Sequence, residues 1–381
     1  MKLLDRYVLR NFFEPFLISF LGFIAIWLII DLSDNGADFL EAHASFKQIM
    51  GYYFTQLPQT VLMAMPIGLL LALLFSLSRM SRTNEIISML TAGRSVFRLL
   101  IPLLAVGVLA SGFCLWLNWE MAPRAENIKK MALNQIRRGR KVGEVEAVLG
   151  HLFRDRQDNR TWFVRKFRPG EPRLDGVHIT QQDAEGRITK KWYASRANYD
   201  APTKTWKLHK GMVVTFTPEG DIADTDHFPQ DVRTIPDWNE TPWRVASSEL
   251  NPQGLTVSEL HDYLTFNSDF PAVQLAPYIT NLADRWALPF SCLVVVFIAA
   301  PLGIVYNRRG VVGGVAGAIF IFFAMIMARG FFLALGKGAR MDPLVAPWVP
   351  NAVLGLVGIV LLWFRSTNRD FPTLSFSLRK K

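Results

Sequence analysis

The chain has 381 residues, half of them apolar and only 19% charged, with a formal net charge of +10. Its basic residues sit at the ends of apolar runs rather than in one patch, so they read as topology signals and headgroup contacts, and no nucleic-acid partner is expected. Both cysteines, Cys114 and Cys292, lie inside apolar runs and no Cys/His ligand spacing occurs, which excludes a disulfide-stapled polar domain and a metal site.

Lys2, Arg6 and Arg10 precede Phe12–Ile30, an apolar run long enough to cross a bilayer. No small-residue cleavage site closes it, so it reads as a retained anchor. Asp31, Asp34, Asp38 and Glu41 follow; base before the run and acid after it put the N-terminus in the cytoplasm. A second span covers about Pro58–Leu77, with Pro58 and Pro66 marking its start or kinking it, which neighbouring helices tolerate. A third, Leu99–Trp119, ends outside at Trp116 and Trp119, the interfacial position Trp favours.

Between the second and third spans lies Arg79–Arg98, a basic stretch on the cytoplasmic side. It predicts a short helix over 81–93. Ser81 or Thr83 can cap it, and Glu85 falls in the first turn, where the helix dipole favours an acid. Ile86, Ile87, Met89 and Leu90 give an apolar stripe. Gly93 is placed to end the helix in the left-handed conformation, and Arg94 follows. Two readings stand: a topogenic basic turn, or a docking helix for a cytosolic partner.

From Glu120 a polar, helical connector runs to Arg140, and then the pattern changes to period two. Thr161–Phe167, Ile188–Arg196, Thr205–His209 and Met212–Thr217 alternate apolar and polar residues. Turn signals at Asp158-Asn159, Pro169-Gly170, Glu185-Gly186 and Pro218–Gly220 separate them, which predicts an antiparallel β domain. Trp162, Val164, Trp206, Leu208, Val214 and Phe216 are its expected interior positions. They either line a groove for acyl chains or fill the core of a passive spacer. Thr256–Glu259 is a capping box for a short helix through Leu264. Three further spans follow: Trp286–Tyr306, Val311–Leu335 and about Val349–Phe364. Gly313 and Gly317 form a small-xxx-small pair that admits a neighbouring helix. The basic turn Asn307–Gly310 and the basic tail are cytoplasmic. The reading is an α-helical membrane protein: spans one to three in 1–119, an extracytoplasmic, jellyroll-like β domain in 120–285, spans four to six in 286–381, and both termini inside.

The chain carries no P-loop, catalytic triad or paired-carboxylate pocket. Arg329 stands out because a charge inside a span is costly and faces a cavity or partner. It either snorkels, pairs with Glu120 or Asp284, or meets an anionic lipid headgroup. Lys47 is a second headgroup candidate. Asp284-Arg285 reads as an interfacial anchor.

Four segments then resemble a known family. Leu4–Leu17 (LDRYVLRNFFEPFL), Asn84–Ser95 (NEIISMLTAGRS), Asp284–Val295 (DRWALPFSCLVV) and Asp342–Asn351 (DPLVAPWVPN) are similar, in the right order, to the LptF/LptG (YjgP/YjgQ) permeases of lipopolysaccharide export. The resemblance implies a permease subunit of an ABC transporter in the bacterial inner membrane that binds no cofactor itself. ATP is used by an LptB-type ATPase dimer on the helix between spans two and three. It implies a sibling permease, a β domain leading to an LptC-type periplasmic bridge, and lipopolysaccharide as the transported lipid. By the resemblance Glu85 is the acidic coupling residue and Gly93 closes the coupling helix, with Ile86, Leu90 and Arg94 beside them. The lateral gate is implied between spans one and five. The chain departs from the family where Asp31, Asp34 and Asp38 stand in place of basic residues. A solute transporter, or a membrane-anchored structural or mechanotransmitting subunit without lipid transport, is the alternative.

Overall fold

The computed structural model describes residues 3–125, 128–129, 147–155, 158–168, 171–236, 238–246, 251–268, 270–304 and 310–367. The expected turn at 307–309, the Pro169-Gly170 turn, the connector beyond 129 and the tail from 368 lie outside the described residues. The chain divides into two compact units: Met1–Arg138 with Gln253–Leu260 and Ala272–Lys381, and Gly139–Pro252 with His261–Pro271. Helices α1 (Leu3–Glu41), α2 (Phe46–Arg82), α3 (Glu85–Thr91) and α4 (Val96–Trp116) come first. Six strands follow, then α5 (Pro242–Ala246), α6 (Val257–Phe266), α7 (Ala272–Gly303), α8 (Gly310–Lys337) and α9 (Val349–Ser366).

Among the described residues six helices are long and apolar enough to cross a membrane: α1, α2, α4 with its continuation to Ala125, α7, α8 and α9. Several overrun the predicted spans. α1 continues through Asp31 to Glu41 because nothing there breaks a helix, and the chain turns only at His43, whose φ is +47°. α2 opens on Ser45, whose N–H donates to Gln48 Oε1 at 2.8 Å. α7 starts at Ala272, well before the expected Trp286. The helical core is centred on α2 and α7, whose apolar windows are 72% and 67% buried, against 6% for α1. Close approaches fix it. A Cβ at Gly303 of α7 would meet Leu77 of α2 at 2.9 Å, and one at Gly358 of α9 would meet Phe297 at 2.8 Å. Of the predicted small-residue pair on α8, Gly317 faces open space instead.

α4 runs into a π-helical turn, Leu117–Met121. Asn118 there donates to the Arg285 carbonyl at 2.9 Å and accepts from Arg285 Nη1 at 3.1 Å, while Trp119 packs edge-on against Trp286. A π turn often marks such a specific side-chain contact.

In the second unit β1 (Val148–Asp155), β2 (Arg160–Phe167), β3 (Arg173–Gln182), β4 (Ile188–Asp200), β5 (Thr205–Phe216) and β6 (Ile222–Ile235) form one antiparallel sheet in sequence order. The described strands make an up-and-down meander, without the Greek-key crossovers of a two-sheet jelly roll. β5 joins two segments expected as separate strands. β1, β3 and β6 have no counterpart in the sequence reading, since Gly150 and Gly176 interrupt the first two and β6 is mostly polar.

A crease crosses the sheet. On β1 to β5 the positions facing the shared cluster change parity at one level: half-buried Val148 to His151, Val164 to Phe167, Leu174 to Val177, Ala194 to Ala197, and Leu208 to half-buried Val213. The skipped residues include Gly150, Gly176 and Lys210, with φ of +69°, +65° and +52°. The register between these strands stays constant through that level. Each of these five strands therefore carries its extra residue at the same height, and both leaves of the sheet feed one core. Strict alternation from Trp206 and Leu208 puts Val214 and Phe216 inward; Val214 is buried, as expected, but outside the apolar cluster of Trp206 and Leu208, and Phe216 is only half-buried. Across Lys210 the inward residue is Val213, and Phe216 instead has Lys191 over its ring at 5.5 Å. At the β4–β5 turn Lys207 Nζ donates to Asp200 Oδ2 at 2.7 Å and holds that carboxyl below its usual pKa.

The expected capping box of α6 forms, with Thr256 N–H on Glu259 Oε2 at 2.9 Å and Glu259 N–H on Thr256 Oγ1 at 3.3 Å.

Cys114 of α4 and Cys292 of α7 face each other with Sγ atoms 3.8 Å apart. Copper phenanthroline in native membranes should therefore join them rapidly, and a non-reducing gel after cleavage between the two positions reads the link. No link would mean that α4 and α7 are packed in another register.

Candidate functional site

α3 is built by punctuation. α2 runs through Ser81, so neither Ser81 nor Thr83 caps α3 as expected; Asn84 stands at the N-cap position, at φ +60° and without a side-chain cap bond, while Thr83 closes α2. Thr83 Oγ1 donates to Glu85 Oε1 at 2.9 Å, and Tyr7 OH donates to Glu85 Oε2 at 2.9 Å. At the other end Gly93 has φ +80°, its N–H bonds Leu90 O at 3.0 Å and the Arg94 N–H bonds Met89 O at 3.2 Å. That pair of bonds is the Schellman ending, which needs a left-handed residue at Gly93.

The stripe on α3 faces the bundle. Ile86 is 1% exposed inside the helical core, and Met89 and Leu90 pack against that core. Ile86 is thus withdrawn from any outside contact, because a helix of two turns against α2 must bury its own stripe. The outward face carries Ile87, Ser88, Thr91, Gly93 and Arg94, with Glu85 half-exposed at its start.

A second feature is a cavity of about 440 Å³ among the spans, walled by Phe23 of α1, Met63 of α2, Leu288 of α7, Phe322 and Ile326 of α8 and Asn351 of α9. Its wall is predominantly apolar, and Arg329 is its cation. Arg329 Nη2 donates to Asp284 Oδ1 and Oδ2 at 2.9 and 2.7 Å. Of the expected alternatives the pairing with Asp284 holds; Glu120 binds Arg124 instead, at 2.7 Å. Lys47 lies exposed in the first turn of α2. Asp31, which departs from the family pattern, is buried and pairs with Lys129 Nζ at 3.6 Å.

The third feature is the sheet. Trp162, Val164, Trp206 and Leu208 are each 0% exposed. The segment around Glu240 covers them: its carboxylate takes Arg160 Nε at 2.7 Å and Trp162 Nε1 at 3.2 Å, its carbonyl takes Trp206 Nε1 at 2.6 Å, and Trp238 packs edge-on against Trp162 and Trp192. These four positions form a sealed core rather than an open groove. Asp155, Asp158 and Glu240 lie close enough to suggest a cation, but Arg244 grips Asp155 at 3.2 Å and Arg160 binds the other two. The guanidinium groups supply the neutralising charge, which makes this an ion-pair network. On the opposite face, directly paired residues of the six strands form one row: Leu152, Phe163, His178, Tyr193, Met212 and His227. A concavity of about 660 Å³ lies along it at the crease, with Arg165 and Lys210 on its wall. Alternation did not reveal this row, because it exists only once the register is known.

Six membrane-spanning helices interrupted by a β unit, with an apolar cavity among the spans and a short helix between the second and third, define a multi-pass membrane protein of the transport class. A family model for the lipopolysaccharide export system permeases LptF/LptG matches residues 6–364, and the chain belongs to that family. Lipopolysaccharide export system permease protein LptG of Escherichia coli K12 is 24% identical to it over 380 residues, covering 95% of this chain and 98% of that protein. The LptG protein of Haemophilus influenzae Rd is 21% identical over 267 residues, 69% and 71% of the two chains. The chain is thus a transport permease subunit.

Asp284→Ala should strand the Arg329 charge at the cavity wall and lower the melting temperature in detergent by at least about 3 °C. Asp284→Ala with Arg329→Leu should recover at least half of that fall. Equal melting of the single variant and the parent would show that the pair contributes nothing to stability.

Proposed function

We propose that this chain is one of two sibling permeases of a lipopolysaccharide-exporting ABC transporter in the bacterial inner membrane. Both termini are cytoplasmic and the β unit is periplasmic. An LptB-type ATPase dimer hydrolyses the ATP and docks on α3, and the lipid leaves through the β unit towards an LptC-type bridge. The observation that carries the reading is α3: a short helix held between two spans, closed by Gly93 and opened by Glu85, with its outer face unoccupied. A turn that served only to retain positive charge would need neither the acid nor the closure. The apolar cavity with Arg329 on its wall fits an amphiphile whose chains are apolar and whose headgroup is anionic. The sealed β core offers acyl chains a place only when the Trp238–Ala246 cover lifts.

Glu85→Lys tests the docking. Truncating or reversing one member of an interfacial charge pair costs about 2–5 kcal/mol, so ATPase co-purification should fall at least tenfold while membrane insertion is kept. Gly93→Ala should weaken it less, by straining one left-handed residue. Full assembly and turnover in Glu85→Lys would reduce α3 to a topogenic turn.

Orientation is read by single-cysteine labelling in a background lacking Cys114 and Cys292. An impermeant maleimide applied to spheroplasts should label position 186 and spare position 93. The reverse pattern would invert the topology.

A further inference from the structure

The first two turns of α1 are fastened to both flanks of α3. Tyr7 OH reaches Glu85 Oε2 at 2.9 Å where α3 begins, and Arg98 Nη2 reaches Asp5 Oδ2 at 3.3 Å in the first turn of α4. Alongside these two ties, Val8 and Phe12, each 1% exposed, join the buried cluster that holds Ile86, Val96 and Leu99. The polar ties set the register of α1 against α3, and the apolar contact passes a displacement from one to the other. None of these contacts was visible in the sequence, since Tyr7 and Glu85 lie 78 positions apart.

α1 is also the span best able to respond. Its apolar window is 6% buried where that of α2 is 72% buried. It runs as one helix from Leu3 to Glu41 with Pro15 inside it, and Phe23, beyond that proline, forms part of the cavity wall. At 1.5 Å per residue, Tyr7 and Phe23 are separated by roughly 24 Å of helix. A shift at the base is therefore delivered near the middle of the membrane.

We propose that Tyr7 and Asp5 are positioning residues that carry the movement of α3 to the cavity wall, with α1 as the lever between ATP hydrolysis and lipid movement. The inference rests on the docking role of α3. Glu85 then has two tasks on one carboxylate: it faces the ATPase and holds the Tyr7 hydroxyl, which a carboxylate with about four lone-pair sites permits.

The test uses complete transporter complexes in proteoliposomes, reading assembly, ATP hydrolysis and lipid released per ATP. Tyr7→Phe removes a single oxygen atom, and Asp5→Asn removes the charge facing Arg98. Both should assemble and hydrolyse ATP within twofold of the parent, while lipid released per ATP falls at least fivefold, most in the double variant. Arg98→Lys keeps the ion pair and should behave as the parent. Glu85→Gln keeps an acceptor for Tyr7 but loses the charge, and should lower assembly with no change in lipid per ATP. An unchanged lipid-to-ATP ratio in the Tyr7→Phe/Asp5→Asn double variant overturns the lever. So does a proportional fall in hydrolysis and release, which is the mark of a merely structural tie. If the double variant fails to accumulate, Tyr7→Phe alone decides. Normal assembly of Glu85→Gln would instead remove the docking reading, so the two failures are read on different axes.

Discussion

The packing of α2 against α7 is the contact on which the helical unit depends. Between them these helices hold most of the buried apolar surface, and their approach is set by Gly303, which lets α7 sit on Leu77. Lipid is as apolar as leucine, so helices in a bilayer associate through close fit and polar contacts rather than through exclusion of water. The α2–α7 pair supplies the fit. The polar contacts sit around it: Asn118 with Arg285, Asp284 with Arg329, Asp5 with Arg98. α1, α8 and α9 pack with much less burial. The helical unit thus has a densely packed centre and loosely packed outer spans.

The β unit solves a different problem with a different device. A flat sheet must bury a face against another layer of structure. Here the chain inserts one residue into successive strands at one height, so the sheet folds on itself and its two leaves share a core. Left-handed residues take the turn at Gly150, Gly176 and Lys210. The core is then closed by charge as well as by packing, because Glu240 gathers Arg160 and two indole N–H groups over it. An ion pair buried in this way needs its full set of hydrogen bonds to be tolerated.

Much of this was legible in the sequence. Six apolar runs, their flanking charges and the Thr256–Glu259 box specify elements through local chemistry, and helices formed over each of them, the fourth ending at Gly303, short of the expected Tyr306. The Gly93 ending was also legible, since a left-handed closing residue has a distinct signature. Three things were not. Helix ends outran the apolar runs: Asp31–Glu41 carries no proline to stop α1, and α7 runs through Ala272–Arg285 despite Pro277. The burial of Ile86 and the exposure of Ile87 depend on which side of α3 meets α2, and a two-turn helix does not encode that. The pairing of Tyr7 with Glu85 and of Asp31 with Lys129 joins distant segments, and single-residue patterns carry no such information.

Lys210 has a wider consequence for reading related chains. It acts as a phase shift in β5: residues before it and after it obey opposite inside–outside rules within one uninterrupted strand. A comparison that assumes one rule for the whole strand assigns Met212, Val214 and Phe216 to the wrong face. Insertions or deletions at this height in a single strand would put its outer half out of step with its neighbours, whereas the same change made in all strands together would be absorbed. The crease is therefore a unit of inheritance, and its five strands, β1 to β5, should gain or lose residues there only in concert.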